Sequence, residues 1–343
     1  MRKLLNTLYV LSPERYLALE GENVLVLEEK ETIARFPLHN LEAIVTFGYS
    51  GASPALMGAC AKRGIALCFM TQSGKFLASV AGEMKGNVLL RKEQYRISDD
   101  IVRSTAIAKN MIIGKVYNSK WVLERATRDH PLQVDVDSIK KVTTNLDVAL
   151  EKLLQSDSMD SIRGIEGNTA SQYFSVFDNL ILHNKADFYF RERSRRPPLD
   201  NVNAMLSFIY TLLANDCAAA LSSVGLDPYV GFLHSDRPGR VSLALDIMEE
   251  LRSVFADRFV LSLINRKMIT AQDFIKKENG AVLMTDKARK NILNTWQKKK
   301  RETIKHPFLE EKIEWGLVPY VQSLLLARYI RGDLDEYPVF FWK

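Results

Sequence analysis

The chain has 343 residues, more than a single compact core usually holds, so two domains are expected. Hydrophobic residues make up 47% and charged residues 26%, a composition that excludes an intrinsically disordered chain. No apolar run reaches the length that spans a bilayer, so no membrane segment is expected. The apolar run after the N-terminus is also too short for a signal peptide.

The formal net charge of +6 is concentrated in two segments. Segment 191–196 holds four arginines, and segment 287–305 holds eight basic residues against one glutamate. Such clusters suit the phosphate backbone of DNA, although a solvated helix face is the alternative for each of them. The candidate DNA contacts in these segments are Arg193, Arg195, Lys298, Lys299 and Arg301.

The cysteines predict a reducing environment. Cys60, Cys68 and Cys217 lie in apolar surroundings and form no CxxC pair. This usage is typical of reduced core residues, so a cytoplasmic location is expected.

Residues 1–95 predict a β-rich domain. Segment 53–64 is the exception and predicts a helix, with Ser53 as N-cap, Pro54 at the first position and Gly64 at the end. No phosphate-binding Gly-rich loop or nucleophile elbow occurs here, so we expect a scaffold and dimerisation domain. The runs that predict strands are 4–12, 16–21, 23–29, 32–38, 43–48, 65–71 and 75–82.

The apolar spacing becomes helical after a predicted linker at 96–105. Residues 106–343 are therefore expected to form an all-α catalytic, metal- and DNA-binding domain. The predicted fold class is α+β, with a small β-rich N-terminal domain and a larger all-α C-terminal domain.

Segment 158–181 places a carboxylate where it is unusual. Glu166 lies between Gly164 and Gly167, small residues that let another backbone approach closely. Burying a carboxylate there without a partner is costly, so a metal ion or an arginine partner is expected. Arg163, three residues earlier, is the arginine alternative.

Segment 231–252 combines a histidine with two carboxylates. His234 lies in a turn-rich stretch, and Asp246 and Glu249 are three residues apart on the predicted helix that follows. An imidazole and two carboxylates can supply part of a divalent-metal site, but two acids on a solvated helix face are the alternative. Two arginines between them suit an anionic substrate, Arg237 and Arg240.

Three blocks in this order resemble the signature of a known family. They are IRGIEGNTASQYF, NAMLSFIYTLLAN and GLDPYVGFLHSDRPGRVSLALDIMEELR. They resemble the CRISPR adaptation integrase, the first CRISPR-associated protein (Cas-one), and the resemblance covers essentially the whole chain. The chain length and the basic C-terminal region favour a type I system, subtype C.

The resemblance implies a metal site of Glu166, His234 and Glu249. Asp246 matches a residue that relatives also need, as an outer-shell residue or a ligand of a second metal. The final acid is often aspartate in other branches of the family, whereas this chain has Glu249. The implied cofactor is Mn²⁺ or Mg²⁺.

The resemblance also implies the reaction and the partners. With water as nucleophile the site cleaves DNA, and with a DNA 3′-hydroxyl it transfers a strand and so inserts a spacer. The family works as homodimers bridged by a small ferredoxin-like partner, Cas-two, and type I-C systems often add the nuclease Cas-four. Two other functions stay open, a metal-dependent phosphodiesterase of small substrates and a DNA-binding scaffold without catalysis.

Overall fold

The computed structural model describes residues 7–41, 43–71, 76–80 and 88–342. These residues form two compact units. The smaller unit contains the described residues up to 80 with Asp286–Thr303 and Glu314–Leu317. The larger unit contains residues 88–285, Ile304–Ile313 and residues 318–342.

The described N-terminal part of the smaller unit is β-rich, as predicted. Its elements are β1 (Thr7–Val10), β2 (Tyr16–Glu20), β3 (Asn23–Glu28), β4 (Glu31–Pro37), β5 (Ala43–Phe47), α1 (Pro54–Arg63), β6 (Ala66–Met70) and β7 (Phe76–Val80). One sheet has the order β1-β5-β6-β7, in which β5 runs parallel to β1 and β6, and β7 is antiparallel to β6. The other is the antiparallel sheet β2-β3-β4. The ends of the first and last predicted strands fall outside the described residues.

Helix α1 begins and ends at the predicted residues. The Ser53 hydroxyl accepts a hydrogen bond from the Leu56 N–H at 3.2 Å, and Pro54 is the first helical residue. Gly64 ends the helix with φ of 67°, a left-handed conformation that glycine adopts without strain. The helix buries Leu56 and Cys60 in the core of this unit together with Leu17 and Ile44.

The remaining elements are mostly helical. They are α2 (Val88–Asp99), α3 (Ile101–Asp129), α4 (Val136–Gln155), α5 (Met159–Ser175), α6 (Asn201–Ser223), α7 (Ser242–Leu251), α8 (Arg258–Asn265), β8 (Phe274–Lys276), β9 (Val282–Met284), α9 (Asp286–Arg301), β10 (Thr303–Lys305), β11 (Lys312–Glu314) and α10 (Val318–Ile330). Strands β8 and β9 pair in antiparallel fashion, and β10 pairs with β11.

Three features of the predicted division are wrong. The predicted linker 96–105 is helical, because α2 runs to Asp99 and α3 starts at Ile101 with Asp100 as its N-cap. The larger unit is not all-α, because it contains the β8–β9 pair. Helix α9 belongs to the smaller unit, where it contacts the turn Trp315–Leu317.

Helix α6 is the apolar centre of the larger unit. It is the one helix among the described residues that is long and apolar enough to cross a membrane by length and composition. In the structure 61% of its most apolar window is buried, as expected for a core helix. Helix α7 packs against both α6 and α3.

A π-helical turn, Arg252–Asp257, connects α7 to α8. Such turns hold an extra residue and are frequent at functional sites. This turn begins three residues after Glu249, so it directs Arg252 and Asp257 towards the surroundings of the predicted site.

Candidate metal centre

The larger unit brings the predicted site residues together from three segments. Glu166 projects from α5, His234 lies in the loop before α7, and Asp246 and Glu249 lie on α7. Both α7 acids are buried, Asp246 with 0% exposed and Glu249 with 4% exposed. The alternative of a solvated helix face is therefore wrong for this pair.

Asp246 holds the loop that carries His234. Its Oδ2 accepts the backbone N–H groups of Phe232 at 2.7 Å and Leu233 at 3.0 Å, and its Oδ1 accepts the His234 N–H at 3.1 Å. Gly231 allows this approach, because a Cβ there would lie 2.9 Å from Asp246 Oδ2. The carboxylate therefore fixes the loop at three consecutive amides.

The same carboxylate orients the His234 ring. His234 Nδ1 lies 2.6 Å from Asp246 Oδ1. An ionised carboxylate only accepts hydrogen bonds, so Nδ1 carries the proton and Nε2 keeps its lone pair for a ligand. Both Asp246 oxygens accept hydrogen bonds from the His234 loop, so in this structure the carboxylate orients His234.

A lysine lies between the two glutamates. The Lys115 Nζ, from α3, forms ion pairs with Glu166 Oε1 and, at 2.7 Å, with Glu249 Oε2. Among the described residues, the buried Glu249 Oε2 has no partner with hydrogen-bond geometry, so its contact with Lys115 is an ion pair. Arg163, the partner considered from the sequence, instead donates to the Leu233 carbonyl at 2.8 Å.

Glu249 is ionised in this arrangement. Burial alone would raise the pKa of its carboxyl, but the guanidinium of Arg252 and the ammonium of Lys115 hold that pKa well below its usual range. Arg252 Nη1 lies 2.7 Å from Glu249 Oε1. The site is thus built to hold a carboxylate next to cations.

These residues fit a divalent metal by their donor chemistry. Two carboxylates and an imidazole with a free Nε2 suit Mn²⁺ or Mg²⁺, and the Lys115 ammonium marks the position of a cation between the carboxylates. Across the residues that the structure describes, no three His, Cys, Asp or Glu side chains form a ready metal-binding group. Glu166 and Glu249 both contact Lys115, but with His234 they do not form a complete set of metal ligands in this structure.

A cavity of about 410 Å³ adjoins Glu166 and Lys115. Its lining is cationic and aromatic, with Arg191, Arg195, Arg252 and Phe174 among its side chains. Charge-assisted hydrogen bonds from such arginines bind phosphate groups. The cavity therefore suits an anionic ligand beside the candidate metal centre.

Asp257, a buried acid that was not predicted from the sequence, lines this cavity. Asp257, in the π-helical turn, accepts hydrogen bonds from the hydroxyls of Tyr173 at 3.1 Å and Tyr210 at 2.5 Å. Burial raises the pKa of Asp257 to about 6, although both hydroxyls and Arg252 oppose the shift. Arg252 also stacks over the Tyr210 ring, 4.5 Å from its centroid, so this cluster positions the partner of Glu249.

The predicted DNA-binding arginines of the larger unit differ in their surroundings. Arg195 and Arg237 are exposed, whereas the half-buried Arg240 donates to Ser242 Oγ at 3.3 Å. The half-buried Arg193 donates to Asn203 Oδ1 at 2.5 Å and lies over the Tyr210 ring, and burial lowers the pKa of its guanidinium. Arg193 lines the cavity but already serves the fold.

The predicted DNA-binding residues of 287–305 lie on α9, in the smaller unit. Lys298 and Arg301 are exposed. Lys299 forms an ion pair with Glu302 at 2.5 Å and lies over the Trp315 ring, and the neighbouring Lys300 is buried. The exposed members of this cluster are therefore the better candidates for DNA contact.

The fold is that of an integrase-like class. A solved structure titled "Casposase bound to integration product" matches with a TM-score of 0.82 and 25% identity, covering 98% of this chain and 92% of that chain. The family described as "CRISPR associated protein Cas1" matches residues 8–298, and the chain belongs to this family. The resemblance to Cas-one is confirmed, whereas type I subtype C stays a prediction.

Two curated relatives align with this chain over their full length. "CRISPR-associated endonuclease Cas1 1" of Chlorobaculum tepidum is 49% identical over 343 residues, and "CRISPR-associated endonuclease Cas1 2" of Rhodospirillum rubrum is 50% identical over 347 residues. Each alignment covers 100% of both chains. A "Cas4/endonuclease Cas1 fusion" of Geobacter sulfurreducens is 33% identical over 97% of this chain and 60% of the fusion.

Proposed function

We propose that this protein is a divalent-metal-dependent DNA endonuclease and strand-transfer integrase. It inserts foreign DNA fragments, the spacers, into a CRISPR array at the adaptation stage of antiviral defence. The observation that carries the proposal is the pair Glu166 and Glu249, which holds a cation beside a histidine oriented by Asp246. Membership of the Cas1 family and the printed names of its endonuclease members support it.

The proposed metal ligands are Glu166, Glu249 and the Nε2 of His234, and the metal is Mn²⁺ or Mg²⁺. When bound, an ion of this kind would supply charge neutralisation at a phosphodiester and activation of the attacking oxygen. Asp246 keeps the proton on His234 Nδ1, so that Nε2 faces the site throughout the reaction. Arg252 keeps Glu249 ionised.

The cavity beside Glu166 binds the DNA phosphates in this proposal. Its exposed arginines, Arg191 and Arg195, surround space for an anion next to the carboxylates. Water as the attacking group gives cleavage, and a DNA 3′-hydroxyl gives strand transfer. A phosphodiesterase of small substrates would need no basic helix such as α9, and a scaffold would need no aligned imidazole.

The partners are proposed from the family. The DNA is double-stranded and contacted through its phosphate backbone, and the protein acts as a homodimer. A small ferredoxin-like partner, Cas2 (Cas-two), bridges two dimers, and Cas4 (Cas-four) is the second partner, in keeping with the Cas4–Cas1 fusion among the relatives. The proposed location is the cytoplasm.

The test of this function is cleavage and strand transfer by single-residue variants of the full-length protein. Glu166→Ala, His234→Ala and Glu249→Ala are each expected to abolish Mn²⁺-dependent cleavage of a labelled duplex while the far-UV circular dichroism spectrum stays unchanged. His183→Ala, which removes an exposed histidine of the same unit, is the matched control and is expected to retain the wild-type rate.

The outcomes separate the three functions. Wild-type activity in a folded Glu166, His234 or Glu249 variant would remove that residue from the site. Cleavage of small phosphodiesters with no activity on duplex DNA would favour the phosphodiesterase. Tight DNA binding with no cleavage in Mn²⁺ or Mg²⁺, alone or with the small partner, would favour the scaffold.

A further inference from the structure

Lys115 occupies the centre of the candidate metal site and was not predicted from the sequence. It lies on the buried stripe of α3 with Ile107, Ala108 and Met111, and only 8% of the residue is exposed. Lysine is rarely buried unless it is paired. Here its ammonium is paired with a glutamate from each of two other helices.

The charges around Lys115 already balance without a metal. Glu166 and Glu249 carry two negative charges, and Lys115 and Arg252 carry two positive charges. A divalent ion between the two carboxylates would take the place of the ammonium and would repel it at short range. The lysine and the ion therefore cannot share the position.

We propose that Lys115 is an internal placeholder for the metal, which binds by expelling the ammonium from between Glu166 and Glu249. This inference rests on the proposed metal site and adds a regulation of it. The metal-free site keeps both carboxylates paired, and metal affinity is set by the exchange of one cation for another. Without the ammonium, the empty site would leave the half-buried Glu166 without its cation and the buried Glu249 with Arg252 alone, which is costly.

The expelled ammonium can move into the adjoining cavity. Lys115 lines the cavity that adjoins the site, beside Glu166 and Arg252. Its four-carbon side chain is flexible, so the ammonium can move by rotamer changes without a shift of α3. In the cavity it adds a positive charge where the DNA phosphate is proposed to bind, so metal binding prepares the cavity for the anion.

A purely structural role for Lys115 leads to the opposite expectation for metal affinity. If Lys115 only positioned Glu166 and Glu249, its removal would disorder the ligands and weaken metal binding. If Lys115 competes with the metal, its removal strengthens metal binding. The direction of the change in the dissociation constant therefore separates the two roles, without reference to catalysis.

The first measurement is Mn²⁺ binding to full-length protein by isothermal titration calorimetry. Lys115→Met keeps the length and apolar stem of the side chain and is expected to bind Mn²⁺ about tenfold tighter or more, since losing one charge-assisted interaction corresponds to at least a tenfold change. Lys120→Met is the matched control, because Lys120 lies on the same helix and pairs with the half-buried Asp147 at 2.6 Å. Unchanged or weaker binding by folded Lys115→Met would overturn the placeholder.

The second measurement uses the wild-type protein, so it does not depend on the folding of a variant. Lysine amines are labelled by reductive methylation with and without saturating Mn²⁺, and the labelling of each lysine is read by mass spectrometry. The labelling of Lys115 is expected to rise severalfold with Mn²⁺ while that of Lys120 stays constant. Equal labelling of Lys115 in both states, with Mn²⁺ bound, would overturn the proposal.

Mn²⁺ binding by wild type and the two lysine variants distinguishes an error in the role of Lys115 from an error in the metal site. If wild type and Lys120→Met bind Mn²⁺ and Lys115→Met binds no tighter, only the placeholder is wrong. If wild type, Lys120→Met and Lys115→Met all fail to bind Mn²⁺, the metal site itself is wrong and the placeholder falls with it.

Discussion

Asp246 is the residue on which the orientation of His234 depends. Asp246→Asn replaces one carboxylate oxygen by an NH₂ group. Because both oxygens now accept hydrogen bonds, the NH₂ group would face an N–H donor and one hydrogen bond would be lost. The rate of Mn²⁺-dependent cleavage is expected to fall by about 10–100-fold, the usual effect of removing an orienting partner. Single-turnover cleavage of a labelled duplex measures it.

The control for this variant is Asp236→Asn, which changes an exposed acid in the same loop. It is expected to cleave at the wild-type rate. Full activity in Asp246→Asn would show that the imidazole finds its orientation without the carboxylate.

Gly231 is required by close packing around the same carboxylate. A Cβ at this position would lie 2.8 Å from Ser242 Cβ, 2.9 Å from Asp246 Oδ2 and 3.0 Å from the His234 carbonyl. Gly231→Ala is therefore expected to lower the free energy of unfolding by about 1–3 kcal/mol, as overpacking does. Urea denaturation measures the loss, and cleavage should fall with it because the His234 loop must shift.

Gly58→Ala gives the comparison for this substitution. Gly58 lies within α1 and an added Cβ there meets no atom within 4 Å. Because alanine favours helix over glycine, this variant is expected to gain up to about 1 kcal/mol. A Gly231→Ala protein as stable and active as wild type would contradict the packing argument.

The sequence pointed to the ligand-type residues but not to what surrounds them. In the structure Glu166 and Glu249 share the ion pairs of Lys115 and His234 contacts Asp246, while their role as a metal site stays a prediction. Lys115 was missed, although it follows Met111 and Ala108 at helical spacing on an apolar stripe. A charged residue in such a stripe is a detectable signal, but its partners come from distant segments that periodicity does not connect.

At the level of elements, the C-terminal segment is bound to α7 by a buried polar network. Glu250, next to Glu249, accepts hydrogen bonds from Tyr337 Oη at 2.6 Å, Gln322 Nε2 at 2.9 Å and the Phe340 N–H at 2.8 Å. Asn118 donates to the carbonyls of Glu250 and Phe340, both at 2.7 Å. The network fixes the turn of α7 that carries Glu249.

This network predicts a dependence of stability on pH. Burial raises the pKa of Glu250 to about 7, although its three donors oppose the shift. A carboxyl with a raised pKa binds its proton more tightly in the folded state. Its contribution is therefore complete below the unfolded pKa of about 4.5 and is lost as pH rises through about 7.

Glu250→Gln mimics the protonated side chain and removes this titration. The stability of the variant relative to wild type is expected to rise by about 3 kcal/mol between pH 4.5 and pH 8, from a shift of about 2.5 pKa units. Urea denaturation at several pH values measures the difference. A relative stability that is constant over this range would show that Glu250 titrates normally.

Local chemistry explains which elements were predicted well. Helix α1 carries its own N-cap, first-turn proline and C-terminal glycine, so its bounds follow from neighbouring residues alone. The segment that forms helix α9 was recognised as a basic cluster but was assigned to the larger unit. Its buried face, which includes Ile292 and Trp296, fits an apolar core of either unit, and only the tertiary fold decides between them.

At the scale of the whole molecule, the surface charge of α9 tests the DNA proposal. Lys298 and Arg301 are exposed, whereas Lys300 is buried and its reversal would test folding instead. Lys298→Glu with Arg301→Glu is expected to weaken duplex binding for all sequences. The slope of log K against log salt should flatten by about 2, since each lost phosphate contact removes about 0.9.

Fluorescence anisotropy over a series of salt concentrations measures this slope. The control reverses two exposed lysines of α4, Lys141 and Lys152, which gives the same change in net charge. It is expected to alter the slope less than the α9 variant does. Equal slopes for the α9 variant and wild type would place α9 away from the DNA.

The π-helical turn Arg252–Asp257 also has a consequence for changes in chain length. Loss of a residue within an α-helix rotates everything beyond it by about 100°. The turn already contains the extra residue of an i→i+5 loop, so deleting one of its members lets the backbone close into ordinary α-helix. Glu249 before the turn and Phe259 after it would then keep their directions. Deletion of Ala256, the smallest apolar side chain of this buried turn, should therefore disturb the fold less than deletion of a buried residue in α7 or α8.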